Sequence, residues 1–260
     1  MKFMKKAAID IGIKRTGFAF TDPEEKIISK VRTVDTSDID REISENMPLS
    51  EIIVGFPINL QNHFTPSTYM AVNRAIEIAK TFVPVPVYLM DERFTTKIAS
   101  EMRKKHIIDG ISASILLEER LNGSKGKRVF WSLPFLSDKI ASLFSLGHFN
   151  NICVIGEDLR GIECKSNGLN FLIFEEDPAF FVLRSSCKNC TLHFGIDWDI
   201  ILQSANNIDM VICSERYVEK VKEIFREGTL IVSECSENEG LSIGGRWIRI
   251  ETVKRNRENS

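Results

Sequence analysis

The chain has 260 residues, 43% of them hydrophobic, and a formal net charge of -2. This composition predicts a folded rather than a disordered chain, and the length fits one large domain or, more often, two ordinary ones. Residues 1–128 carry 20 basic against 17 acidic side chains, so a polyanion is expected to prefer this half, although ordinary surface charge is the simpler explanation of so small an excess.

Three antiparallel strands are predicted at the start of the chain. Residues 7–22 contain two short apolar runs joined by a tight basic turn, which is typical of a hairpin. Residues 26–34 add a third run with strand character, and the three together predict an antiparallel meander.

Asp10 lies in the middle of the first predicted strand. Ala7, Ile9 and Ile11 fall on one face at period two, which places Asp10 with Ala8 on the opposite face. A carboxylate there is either hydrogen-bonded and structural, or it is a metal ligand or acid held on a rigid element. This strand alone does not distinguish the two roles.

Helices and strands alternate over the next hundred residues. The pattern predicts helices over residues 36–47, 66–82, 97–105 and 109–121, and buried strands over residues 51–54 and 85–90. Residues 56–65 form a loop at the carboxyl end of a strand, where open α/β sheets bind their ligands. The resulting order, βββαβαβαα, is that of the ribonuclease H-like fold, a mixed α/β sheet with flanking helices.

A second, smaller α/β domain is predicted after a Gly-rich break at residues 123–128. The expected limits are residues 1–123 for the ribonuclease H-like domain, 124–150 for a linker and docking helix, 151–253 for the second domain and 254–260 for a frayed tail. Strand-like runs of the second domain cover residues 152–155, 171–174, 181–183, 210–213, 230–233 and 247–250, and a helix is predicted over residues 215–227.

Three carboxylates of the first domain are candidates for chemistry. Asp10 at mid-strand, Glu92 just past a strand end and Asp109 at a helix start belong to three elements of one layered fold and could converge. Carboxylate oxygens suit Mg²⁺ or Mn²⁺, and a pair of such ions stabilises the attacking and leaving oxygens of phosphodiester hydrolysis. Each acid alone has a simpler role, since Glu92 could solvate a strand exit and Asp109 could cap a helix.

Four blocks of the first domain resemble, in their order and spacing, the signature blocks of the YqgF/RuvX family. They read DIGIKRTG at residues 10–17, IVGFPIN at 53–59, DERFTT at 91–96 and IDGISA at 108–113. That family has a ribonuclease H-like fold and is described both as Holliday junction resolvases and as nucleases that mature the 5′ end of 16S precursor rRNA. The resemblance covers residues 6–122, so it assigns no role to the second domain.

The resemblance implies roles for individual residues. It identifies Asp10, Glu92 and Asp109 as the catalytic acids and as the ligands of Mg²⁺ or Mn²⁺. The nucleic-acid contacts that it implies fall on Lys14, Arg15, Asn59, Arg93 and Thr96. Two departures from the family pattern occur: residues 61–66 lack the usual glycine and acid of their loop, and Ser112 replaces the first of two alanines after the last acid.

We therefore expect a metal-dependent endonuclease that acts on structured nucleic acid, first of all on 16S precursor rRNA. Branched DNA at a Holliday junction is the alternative substrate, because both backbones need the same ions. Two further alternatives are a non-catalytic RNA- or ribosome-binding module and an ATP-binding protein of the actin or sugar-kinase type. The latter needs a second phosphate-binding hairpin, and none is visible after residue 150. The second domain could select substrate, form a homodimer or bind another partner.

A cytoplasmic protein without a membrane partner is expected. No run of about 18 apolar residues occurs, and Asp10 and Lys14 interrupt the apolar core that a signal peptide would need. Six cysteines are then expected as reduced thiols. Cys187, Cys190 and His193 offer three zinc ligands, yet a structural zinc site usually shows two cysteine pairs, so coincident core or turn cysteines are the alternative.

Overall fold

A computed structural model of the chain describes residues 4–58, 63–91, 109–131, 149–156, 168–234, 241–243 and 246–254. The chain divides into two compact units, Met1–Trp131 and Ser132–Ser260, and each is built on its own sheet. Within the described ranges, no helix is both long and apolar enough to cross a membrane.

The first unit contains six described strands and three described helices. The strands are β1 (Lys5–Ile11), β2 (Arg15–Thr21), β3 (Ile28–Asp35), β4 (Leu49–Phe56), β5 (Val87–Asp91) and β6 (Lys127–Arg128), and the helices are α1 (Ile39–Glu45), α2 (Pro66–Thr81) and α3 (Asp109–Leu121). The predicted strands and helices of this unit that fall on described residues are confirmed, with ends shifted by a few residues. The helix predicted over residues 97–105 lies outside the described residues.

The sheet of the first unit has the strand order β3-β2-β1-β4-β5-β6. The first three strands are antiparallel, β1, β4 and β5 are parallel, and β6 returns antiparallel to β5. This mixed sheet with flanking helices confirms the predicted ribonuclease H-like fold. Strand β6 comes from the segment expected to be a linker, while the predicted docking helix falls mainly on residues 132–148, which are outside the described ranges.

Helix α3 covers one face of this sheet through small and aliphatic side chains. Ala113, Leu116 and Leu117 pack on a buried patch contributed by four strands. The members of that patch are Ala8, Ala19, Ile53 and Met90. The alanines on both sides allow the helix to approach the strands closely, which fixes its position over β1 and β2.

The second unit contains seven described strands and three described helices. The strands are β7 (Asn151–Ile155), β8 (Asn170–Glu175), β9 (Cys190–Phe194), β10 (Met210–Cys213), β11 (Leu230–Glu234), β12 (Leu241–Ile243) and β13 (Arg246–Thr252), and the helices are α4 (Pro178–Arg184), α5 (Trp198–Ser204) and α6 (Val218–Ile224). Their order is β12-β13-β11-β10-β7-β8-β9, with β7 to β11 parallel and β13 and β12 antiparallel additions at one side. The prediction of a second α/β domain is confirmed, and its exact limits stay a prediction.

One predicted strand of the second unit is wrong, because residues 181–183 lie in the helix α4. The carboxylate of Asp177 accepts hydrogen bonds from the backbone N–H groups of Ala179 (2.9 Å) and Phe180 (3.2 Å), and Pro178 occupies the first helical position. An N-terminal cap and a proline at that position favour a helix start. A short, wholly buried apolar run is compatible with a strand or a helix, and here the cap decides.

Candidate active site

Asp10 lies near the carboxyl end of β1, on the face of the sheet that α3 covers. It pairs with Gly17 of β2, and Ala8, two residues earlier on β1, belongs to the patch beneath α3. Because alternate residues of a strand share a face, the carboxylate projects on the α3 side, as the period-two pattern predicts. Ala8 and Gly17 are small, so they leave room around it. Asp10 itself is half-buried.

The first turn of α3 packs directly on β3. A Cβ atom added at Gly110 would lie only 2.6 Å from Cγ1 of Val31. Glycine at this position therefore allows the helix to start against the strand, and a larger residue would push the two apart. The helix axis then crosses from β3 towards β5.

This packing brings the beginning of α3 to the sheet edge at which Asp10 lies. Thr33 of β3 pairs with Gly17, which in turn pairs with Asp10. Two strand spacings, about 10 Å, thus separate Asp10 from the strand on which α3 begins. Asp109 is the first residue of α3, and its backbone starts the helix on the same face as Asp10. The Asp109 side chain is outside the described residues.

The parallel strands β4 and β5 end at the same edge. The register sets Ile9 opposite Val54 and Val54 opposite Leu89, so the three carboxyl ends lie side by side. Strand β5 ends at Asp91, and Glu92 follows it immediately but is outside the described residues. The chain therefore leaves β5 at the edge where open α/β sheets place their ligands.

The turn between β1 and β2 is a rigid, basic hairpin tip at this edge. The N–H of Gly12 donates to the carbonyl of Arg15 at 3.1 Å, and a Cβ at Gly12 would lie 2.5 Å from that oxygen. Thr36 braces the tip, because its hydroxyl donates to the carbonyl of Gly12 at 2.8 Å and its N–H donates to the carbonyl of Lys14 at 3.0 Å. The side chains of Lys14 and Arg15 are exposed, so two cations stand beside Asp10 on a fixed backbone.

Glu119 is an acid of α3 that the sequence-based predictions do not include. It lies on the last turns of α3, and its pKa is raised by partial burial and then by the negative charge of Asp91. Nothing in the local sequence marks this influence, because it arises only from the packing of α3 on the sheet.

An ionic network anchors α3 at the opposite end of the same face. Glu51 of β4 accepts two hydrogen bonds from Arg120, at 3.0 and 2.7 Å, and one from Lys6 of β1 at 2.8 Å. Burial raises the pKa of Glu51, but the hydrogen bonds and charges of Arg120 and Lys6 outweigh it and leave that pKa below its ordinary value. These charges hold the helix on the sheet, and no pattern in the local sequence predicts their pairing.

Several predicted site residues fall outside the described residues. These are Asn59, Glu92, Arg93 and Thr96, and for Asp109 only the backbone is described. Among the side chains that are described, no three His, Cys, Asp or Glu residues lie close enough together to hold a metal ion. The three-carboxylate metal site therefore stays a prediction.

The suspected zinc ligands of the second unit lie within the described residues and do not form such a cluster. Cys190 and His193 belong to strand β9, and Cys187 precedes it. The ring of His193 stacks on that of Phe174, with the ring centroids 5.1 Å apart. These three side chains are close in sequence but do not form a three-ligand metal site among the described residues.

Comparison with known proteins covers the first unit. A sequence model of the RuvX family, described as Holliday junction resolvases, matches residues 4–123. A protein of Phocaeicola vulgatus named "Putative pre-16S rRNA nuclease" is 33% identical over 132 residues, which are 45% of this chain and 95% of that protein. A protein of the same name from Mycobacteroides abscessus is 32% identical over 143 residues, which are 47% of this chain and 86% of its own length.

Among solved structures, that of T. thermophilus RuvC with a Holliday junction substrate is 17% identical and covers 47% of this chain and 99% of its own chain. Its TM-score is 0.33, which is too low to support an argument. The family assignment depends instead on the two sequence relatives and the family match, which agree. The chain belongs to the RuvX family.

Proposed function

We propose that this chain is a metal-dependent nuclease that hydrolyses phosphodiester bonds in structured nucleic acid, and that its substrate is the 5′ region of 16S precursor rRNA. The observation that carries the proposal is the position of Asp10. This half-buried carboxylate stands on a central strand, at the edge where three parallel strands end and beside a braced tip with two exposed cations. Relatives about one-third identical are named as nucleases of the same precursor.

The donor chemistry fits a divalent cation of the Mg²⁺ or Mn²⁺ type. Asp10, Glu92 and Asp109 supply only carboxylate oxygens, which are the ligands such hard ions prefer. Bound there, the ion would lower the pKa of an attacking water and stabilise the leaving oxygen. Asp10 would hold its oxygen in place through the rigidity of β1, and Glu92 would complete the ligand set or orient the attacking water.

The cationic tip would seat the nucleic-acid backbone. Lys14 and Arg15 are exposed on a turn whose carbonyl groups are held by Thr36, so their charges start from fixed positions. Asn59, Arg93 and Thr96 would add further backbone contacts. Contacts of this kind set position and affinity and carry no base sequence information, so they fit any substrate with the right shape.

Branched DNA is the second candidate substrate, and the description of the matching family as Holliday junction resolvases favours it. The ATPase alternative is weaker. An actin or sugar-kinase type protein would open its second half with another antiparallel hairpin, whereas the described part of the second unit opens with the parallel strands β7 and β8. A cytoplasmic location and a homodimer stay predictions.

Cleavage of two substrates by the full chain tests the proposal. A precursor rRNA fragment and a four-way DNA junction are each incubated with Mg²⁺, with Mn²⁺ and with EDTA. We expect specific cleavage of the RNA with either metal, little cleavage of the junction and none with EDTA. Preferred cleavage of the junction would identify branched DNA as the substrate in place of precursor rRNA. Cleavage of neither nucleic acid would refute the nuclease assignment.

A further inference from the structure

Ile13 is a large apolar side chain at the apex of the hairpin tip. The residue is 78% exposed, more than any other large hydrophobic residue whose burial is described, and Ile27 follows with 64%. A single exposed hydrophobic residue is normal on a protein surface. Two features distinguish Ile13: hydrogen bonds brace the backbone on both sides of it, and charged side chains lie close to it in the hairpin.

The backbone that carries Ile13 cannot move aside easily. Its neighbour Gly12 is fixed by a hydrogen bond to Arg15 and by the hydroxyl of Thr36, and Lys14 on the other side is fixed by the N–H of Thr36. The hydroxyls of Thr36 and Thr16 are also 3.1 Å apart, which joins the brace to β2. A flexible loop could fold such a side chain away from water, but this apex holds it outward.

The surroundings of Ile13 are those of a nucleic-acid contact. Gly12 has no side chain, which leaves the isoleucine as a narrow projection, and Lys14 and Arg15 follow it directly with exposed cationic side chains. Asp10 lies three residues before it on the adjoining strand. An apolar side chain between a carboxylate site and two cations is poorly placed for an apolar protein interface, which usually excludes charge from its centre.

We propose that Ile13 is a wedge that inserts between two neighbouring bases of the substrate and opens the stack beside the phosphate to be cleaved. The inference rests on the proposed nuclease function and deepens it. Proteins that deform nucleic acid insert isoleucine, leucine or phenylalanine between bases in this way and hold the flanking phosphates with arginine and lysine. The rigid tip supplies both parts, so Lys14 and Arg15 give affinity and Ile13 opens the paired structure.

The experiment compares a fully paired precursor rRNA stem with the same stem carrying a mismatch at the cleaved step. Ile13→Ser is the test variant, Ile13→Leu the conservative variant, and Ile27→Ser the control at a second exposed isoleucine. We expect Ile13→Ser to slow single-turnover cleavage of the paired stem by about tenfold and to leave cleavage of the mismatched stem nearly unchanged. Ile13→Leu and Ile27→Ser should behave like the unmodified chain.

A second readout does not need cleavage. The base 2-aminopurine, placed at the proposed step, gains fluorescence when it is unstacked, and we expect this gain on binding the unmodified chain but not Ile13→Ser at equal occupancy. Equal fluorescence with both proteins would overturn the wedge, and so would equal slowing of both stems by Ile13→Ser. The wedge would also be overturned if Ile13→Ser changed neither readout, and a contact with another protein would then be the remaining role for Ile13. If the unmodified chain binds and unstacks but cleaves nothing, the nuclease proposal fails and the wedge stands.

Discussion

The central strands of the two sheets differ in the charged residues that they contain. In the first unit, Lys6, Asp10 and Glu51 lie inside the neighbouring strands β1 and β4. In the second unit, the central strands β7 and β10 read NICVI and MVIC and contain no charge. A charge inside a sheet covered by helices costs free energy unless it is paired with an opposite charge or hydrogen-bonded. The position of such a charge therefore indicates either an ion pair that stabilises the fold or a candidate functional residue.

The charges of the second unit serve the scaffold. Asp177 caps α4, the carboxylate of Asp209 accepts hydrogen bonds from the backbone of Asn150 and Asn151, and Glu175 pairs with Arg184 in the interior. In the first unit Glu51 is paired with both Lys6 and Arg120, and Asp10 lies at the edge where β4 and β5 end. The comparison therefore separates Lys6 and Glu51, which hold the scaffold, from Asp10, for which we propose a catalytic role.

The largest effect on stability is expected from Glu175→Ala. Glu175 and Arg184 are fully buried and joined at 2.8 Å, so the variant removes a carboxylate that compensates a guanidinium inside the protein. Breaking such a pair costs about 3–5 kcal/mol of unfolding free energy, measured by urea denaturation. The control is Glu223→Ala on the exposed side of α6. A loss near that of the control would contradict the assignment of these charges to the scaffold.

A smaller loss is expected from Glu51→Ala in the first unit. The side chain of Glu51 is 8% exposed, but those of Lys6 and Arg120 are 22% and 20% exposed, so water partly solvates the cations that the variant leaves behind. We expect a loss of about 2–3 kcal/mol, below the range for fully buried pairs. Glu24→Ala, which breaks the exposed 2.7 Å pair with Lys26, should cost less than about 1 kcal/mol. Equal losses would show that the network does not hold α3.

Acid should weaken the first unit through the same network. The pKa of Glu51 lies below its ordinary value in the folded protein, so the folded state favours the ionised form. Its contribution is present above the pKa of the unfolded chain, about 4.3, and is lost as the pH falls through the lower folded value. Unfolding free energies measured between about pH 6 and pH 3 should therefore decline, and Glu51→Gln should make the decline shallower. If Glu51→Gln leaves that slope unchanged, the ionisation of Glu51 does not contribute to the loss of stability in acid.

The smallest effects should be alike in the two units, because helix caps depend on local geometry. Thr65 caps α2 through a reciprocal pair of hydrogen bonds with Thr68, and Asp177 caps α4. Thr65→Ala and Asp177→Ala should each cost about 1 kcal/mol in thermal or urea unfolding. A much larger cost of Asp177→Ala would mean that the carboxylate also supports the buried Glu175 beside it.

Local pattern predicts much of the first unit. Alternation of Ala7, Ile9 and Ile11 predicts the hairpin and the face on which Asp10 lies, and the start of α3 at Asp109 is predicted correctly. The contact between Glu51 and Arg120 could not be predicted, because 69 residues separate them and only the strand register brings them together. Long-range pairing of this kind is set by tertiary structure and leaves no local periodicity.

The second unit was harder to predict because its apolar runs are short. The segment Phe181-Val182-Leu183 has the composition of a strand and is part of a helix, since the signal that decides lies upstream at Asp177 and Pro178. Strand β9 is not predicted either, because Cys190 and His193 suggest a metal site rather than an edge strand. For short apolar segments, composition does not distinguish a helix from a strand. Helix caps and neighbouring strands decide between the two.

Asp10→Asn tests the central claim most directly. The substitution keeps the size of a half-buried side chain and removes its negative charge, and Asp199→Asn in the exposed first turn of α5 is the matched control. Single-turnover cleavage of precursor rRNA is measured with Mg²⁺ and Mn²⁺, together with RNA affinity and urea unfolding. The account predicts that Asp10→Asn abolishes cleavage with either metal while RNA binding and stability persist. Full cleavage by Asp10→Asn would contradict it.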